Sequence, residues 1–435
     1  MDQAPPPAVP ETLPGRRLPL LYFGFARLCL ALAFAAAALD PRGLGGFAYH
    51  PRMVAVVHLV TLGWITSSIL GALYVVGPLA LRMPLPVRRL DYVAGGFFVV
   101  GTVGVVGHLW PDAPRGMAWA AGMATLAIAH MAVRVFRSLP SAPVPREVKL
   151  HVGLAFTNIL VAATFGILLA VNKASPFLPG YVVSNVYAHA HLAALGWATM
   201  MVMGAGYRML PMMLPAAMPR GAGPYASALL LEAGTLGVFV SLLLQSRALG
   251  PSAVVAAAGL LAFFSQALWM CRHPRPAPKE LPRPDFGVLH AFLALLCLGL
   301  AALLGLVLAF APLSEWTLRA QMAYGCLGLV GFLSEMVVGV DNRLLPLVSW
   351  LWGFAGRGYV ETPPPLHSLA NRWLQAAVFG LWLLGVPLLA AGLYATRDRW
   401  IAGGGWALFA AVALGALNAR TVQKSAQVTQ STTSG

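Results

Sequence analysis

Three histidines are the residues best placed to do chemistry. His58 begins the stretch HLVTLGWITSSILGALYVVGP, and His191 begins HLAALGWATMMVMGAGYRMLP, 133 residues later. Both read H-L-x-x-L-G-W-x-T-x-x-x-x-G-A-x-Y-x-x-x-P. A weaker third copy, CLGLVGFLSEMVVGVDNRLLP, begins at Cys326 and keeps Gly331, Phe332, Ser334, Gly339 and Pro346 at matching places. An imidazole within a membrane needs a partner or a cofactor. Two imidazoles at one repeat position suit axial ligation of a single metal, most simply a bis-histidine heme b iron. The alternative is that each histidine hydrogen-bonds a neighbouring helix. His189 precedes His191 by two residues, about 200° around an α-helix, so the two face opposite ways. His191 is expected to face the helix of His58, and His189 to face the helix of Cys326, where a second heme would have Tyr324 and Glu335 within its reach.

The elements that position these residues are membrane helices. Of 435 residues, 59% are apolar and 10% are Asp, Glu, Lys or Arg, against roughly 25% charged in soluble domains. A soluble enzyme, a nucleic-acid binder and a disordered scaffold are excluded. Runs of spanning length predict twelve helices near 19–39, 53–80, 90–110, 116–137, 149–171, 183–214, 224–246, 252–272, 286–311, 316–346, 372–394 and 400–418. The fold class is an all-α polytopic membrane protein with three four-helix pseudo-repeats, about 19–137, 149–272 and 286–418, in one domain spanning 16–420. Residues 1–15 and 421–435 read as disordered tails, and 347–371 as an interfacial loop. Most of the 29 Lys and Arg fall at the termini and after even-numbered helices. The positive-inside rule then puts both termini in the cytoplasm of a bacterial-type inner membrane, with the repeat histidines toward the exoplasmic side.

The stretch from Ala188-His189-Ala190-His191 through Leu195-Gly196-Trp197 to Pro211 resembles the H-x-H-x-x-x-L-G-W helix of heme–copper oxidase subunit I, in particular the cbb3-type oxidases and nitric oxide reductases. The resemblance implies twelve core helices in three arcs and heme-dependent reduction of oxygen or nitric oxide. It makes His189 the proximal ligand of a high-spin heme, and His191 with His58 the axial pair of a low-spin heme. It also implies cytochrome c or quinol as electron donor, and partner subunits. The chain departs from the family in lacking an adjacent His-His pair and any histidine on the tenth helix, which leaves the copper site without its triad. A second possible relative is a family of heme- and copper-containing membrane proteins associated with nitric oxide resistance. Two further readings stay open: a non-enzymatic heme or nitric-oxide-response protein, and a transporter whose histidines carry protons.

Other residues carry less. Arg52, or Arg27, would contact a heme propionate. His151 and His290 start odd helices in similar contexts and read as interfacial anchors, or as a proton-entry or quinone site. His130 has no evident partner. The methionines of the sixth helix read as packing. Cys29, Cys271, Cys297 and Cys326 form no CxxC pair and imply neither a disulfide framework nor a zinc site.

Overall fold

In a computed structural model, residues 13–276, 281–354 and 364–426 are described. They contain twelve long helices and no strand. These are α1 (Arg17–Leu39), α2 (Pro51–Leu79), α3 (Arg89–Leu109), α4 (Met117–Ser138), α5 (Arg146–Ala174), α6 (182–213), α7 (Ala222–Leu244), α8 (Leu249–Arg272), α9 (Phe286–Phe310), α10 (Glu315–Gly353), α11 (Arg372–Ala395) and α12 (Asp398–Ser425). All except α6 are long and apolar enough to cross a bilayer by themselves. Asn185, His189, His191 and Arg208 make α6 more polar. The chain is an all-α polytopic membrane protein. Its outward surface carries large apolar residues such as Leu236, Leu296, Leu303 and Leu417. Ser227, Thr235, Asn158 and many glycines lie inside. Small and polar residues at the helix interfaces, with bulky apolar ones outside, suit a lipid solvent.

Each repeat is built the same way. Its third and fourth helices form an outer hairpin closed by a glycine. A Cβ on Gly101 would lie 2.5 Å from the Ala124 amide nitrogen, one on Gly234 2.1 Å from that of Ala256, and one on Gly404 2.7 Å from that of Leu389. The first helix lies on the glycines of the second. Tyr22, His151 and His290 cover Gly71, Gly204 and Gly339; two turns on, Cys29, Asn158 and Cys297 cover Gly63, Gly196 and Gly331. The second helix of each repeat is interrupted by a π-helical stretch at one repeat position: Leu59–Thr66, Leu192–Thr199 and Leu327–Ser334. These three stretches touch one another at the centre of the bundle. Wide turns of this kind are rare and frequently occur at functional sites.

Two sequence boundaries need correction. Helix α10 continues to Gly353, so the loop expected over 347–371 starts later; of that loop, 355–363 lie outside the described residues, and Leu366–Leu369 form a 3-10 turn. Helix α12 runs to Ser425, so 421–425, assigned to a tail, are helical. The remainder of that tail from 427, and residues 1–12, lie outside the described residues. Interfacial placement of His151 and His290 is also corrected. Both are fully buried, because the facing glycines let α5 and α9 press their first turns against α6 and α10.

Candidate functional site

The N-terminal halves of α2, α6 and α10 meet at one end of the bundle, called here the histidine end. His58 is the last α-helical residue before the first π stretch, and His191 the last before the second. The His58 Nδ1–H donates to the Val54 carbonyl at 2.8 Å, and the His191 Nδ1–H donates to the Tyr187 carbonyl at 2.8 Å. A carbonyl only accepts, so these bonds fix the tautomers. Both Nε2 atoms are left as acceptors or metal ligands.

The facing of α6 is the reverse of the expectation. His189, not His191, meets α2: the His58 and His189 rings lie 6.5 Å apart, centre to centre, and 17° from parallel. His191 meets α10 instead, its ring 5.9 Å from that of Tyr324 and 22° from parallel. The Tyr324 hydroxyl lies 3.2 Å from His191 Nε2 and donates to it. The physical reason is the sense in which the repeats follow one another around the centre. By repeat position, Val56, His189 and Tyr324 are equivalent, as are His58, His191 and Cys326. His58 and His191 each meet the residue of the first kind from the following repeat.

The His58–His189 pair has the dimensions of an axial pair. Two imidazoles on opposite sides of one metal, each nitrogen about 2 Å from it, have ring centres roughly 6 Å apart. His189 Nδ1 is buried with no hydrogen bond of good geometry among the described residues, the Ala162 carbonyl of α5 being its nearest backbone acceptor, and the Cε1 edge of the ring faces α5, where a Cβ on Gly166 would approach it to 3.1 Å. The spacing of the His58 and His189 rings leaves room for one metal ion between them. The His191–Tyr324 pair is directly hydrogen-bonded and belongs to a wider network. The Tyr187 hydroxyl donates to Gln321 Oε1 at 2.7 Å, which ties α6 to α10 a second time. The buried Gln321 Nε2 has no hydrogen-bond partner among the described residues.

Of the residues expected near the site, Arg52 lies six residues before His58 on α2 and is already engaged, whereas Glu335 lies farther off. Arg52 is paired with Asp40 at 2.6 Å and lies over the Trp110 ring. Glu335 is paired with His290, well along α10 from Tyr324. Arg27 pairs with Asp341 at 2.7 Å. His130 does have a partner: its Nε2–H donates to Asp91 Oδ1 at 2.7 Å, and Arg134 donates to Asp91 Oδ2 at 2.6 Å. Among the described residues, no three or more His, Cys, Asp or Glu side chains converge as metal ligands. Sequence reasoning named Tyr324, with Glu335, as a candidate beside a second heme, but not as the partner of His191. Its alignment with His189 two positions before the repeat histidine was the signal that could have found it.

No protein-family model matches the chain, and a search of curated proteins finds no match.

Proposed function

We propose that the chain is a heme-binding electron-transfer protein of a bacterial inner membrane, with both termini in the cytoplasm and the histidine end toward the exoplasm. His58 and His189 are the axial pair of one heme b. The observation that carries this reading is their near-parallel rings at 6.5 Å. Heme bound by two histidines supplies one-electron chemistry with no open position for a substrate. The chain's own residues orient the pair: the Val54 carbonyl holds the His58 ring through Nδ1, and Gly166 leaves room for the His189 ring.

His191 is the ligand candidate for a second heme, at which a small gas such as nitric oxide or oxygen would be reduced. Its Nε2 accepts from the Tyr324 hydroxyl in this structure, so ligation would require that hydroxyl to turn aside, where its proton would serve gas reduction, which consumes protons. Cytochrome c or quinol would be the electron donor, and partner subunits would accompany the chain.

The test is a reduced-minus-oxidised optical spectrum with a pyridine hemochrome assay on purified wild type and on His58→Ala, His189→Ala and His191→Ala. A low-spin b-type band in the wild type, lost in His58→Ala and His189→Ala, supports the reading. Folded wild-type protein without heme overturns it.

A further inference from the structure

Away from the histidine end, α9 and α10 bring two titratable side chains together. His290 Nδ1 and Glu335 Oε1 are 2.6 Å apart, and both side chains are fully buried. Their outer atoms, His290 Nε2 and Glu335 Oε2, are buried with no hydrogen-bond partner among the described residues. Gly339 makes the approach possible, since a Cβ there would lie 3.1 Å from His290 Cβ. The Phe379 ring of α11 closes the site edge-on at 5.2 Å.

The surrounding charges are already matched. On α10 the next ionisable groups are Asp341, paired with Arg27 of α1, and Arg343, paired with Asp285 at the start of α9. On the other side the neighbouring groups are the thiols of Cys297 and Cys326. Helix α11 offers Phe379 and, at its start, Arg372, which donates to the Pro284 carbonyl at 2.9 Å. Helix α8 faces α9 with Ala267 and Cys271. Among these groups, only His290 pairs with Glu335.

A neutral imidazole beside a carboxylate would leave a net negative charge unpaired in the bundle, which is costly. The neutral pair instead carries two protons on four heteroatoms. One proton lies between Nδ1 and Oε1 and the other on Nε2, leaving Oε2 as a bare acceptor. A donor and an acceptor kept unpaired in an interior are rare and call for a role. This arrangement can pass a proton. One proton enters at Oε2, the shared proton moves from Oε1 to Nδ1, and the Nε2 proton leaves. The pair ends neutral, with Nδ1–H donating to Oε1 and the carboxyl proton on Oε2.

Access lies alongside. A narrow cleft, part of it open to the outside, is bounded by Arg27, Trp64, Val338, Asp341, Gln375 and Val378 among others. Val338 lies one turn beyond Glu335 on α10, and Val378 adjoins Phe379 on α11. The cleft and the dyad therefore share the same turns of two helices.

We propose that His290 and Glu335 form a proton-relay site inside the membrane, supplied through this cleft. The proposal stands whether or not the histidine end holds heme. Infrared spectra of the full-length chain in liposomes, in H2O and in D2O, test it. Expected in the wild type is a protonated-carboxyl C=O band that downshifts in D2O. The band is lost in Glu335→Gln and displaced in His290→Gln. In Gln375→Leu it persists, but its D2O shift is slower. Wild-type spectra in which no carboxyl band downshifts in D2O overturn the relay without recourse to any variant, as does a band that Glu335→Gln leaves in place. Exchange at the wild-type rate in Gln375→Leu overturns supply through the cleft.

Discussion

At the scale of residues, the pairing of rings decides which histidine matters to which site. His191→Ala is expected to keep the low-spin heme band that His58→Ala and His189→Ala lose; a hemochrome assay of the three variants reads the difference. The opposite result, with His191 required and His189 dispensable, would restore the pairing that the motif resemblance implies. The repeat position of His58 and His191 is written in the sequence, and so is the divergence of His189 from His191 around the helix. Which neighbour each one faces is not, because that depends on whether the repeats run clockwise or anticlockwise about the centre. Asp91 gives a second residue-scale prediction. Its fully buried carboxylate joins His130 and Arg134, and removing one partner of a buried ion pair costs about 3–5 kcal/mol. Asp91→Ala is expected to lower the thermal stability of the purified chain by that order, measured by unfolding in detergent. His130→Ala is expected to cost less, since Arg134 still meets the carboxylate.

At the scale of elements, helix existence and ends were legible because apolar runs of spanning length are punctuated by Pro, Gly and charged loops. The extension of α10 past Pro346 was not legible: a proline suggests a helix end, yet here it sits inside a continuous helix. The π stretches left no signal beyond the repeat itself, since nothing in H-L-x-x-L-G-W-x-T distinguishes a wide turn from a regular one. The outer hairpins offer a matched stability test. Gly234→Ala would drive a methyl into the Ala256 backbone, and overpacking of this kind costs about 1–3 kcal/mol. Gly96→Ala meets nothing within 4 Å and is expected to be neutral or stabilising, by up to about 1 kcal/mol from helix propensity. Thermal unfolding of the two variants side by side checks the sign of each.

At the scale of the whole molecule, the charge count predicts orientation. A C-terminal fluorescent-protein fusion, which matures only in the cytoplasm, is expected to fluoresce, and a fusion of a periplasm-dependent phosphatase at the same place to be inactive. The cyclic placement of the repeats has a mechanical consequence as well. Helix α6 stands between α2 and α10, with His189 against His58 on one side and His191 against Tyr324 on the other. A small displacement of α6 toward α2 tightens the first contact while loosening the second, as a seesaw does. By this geometry a change at Tyr324 is expected to reach His58 through α6. Tyr324→Phe, which deletes only the hydroxyl that holds His191, is expected to shift the absorption band of a heme carried by His58 and His189.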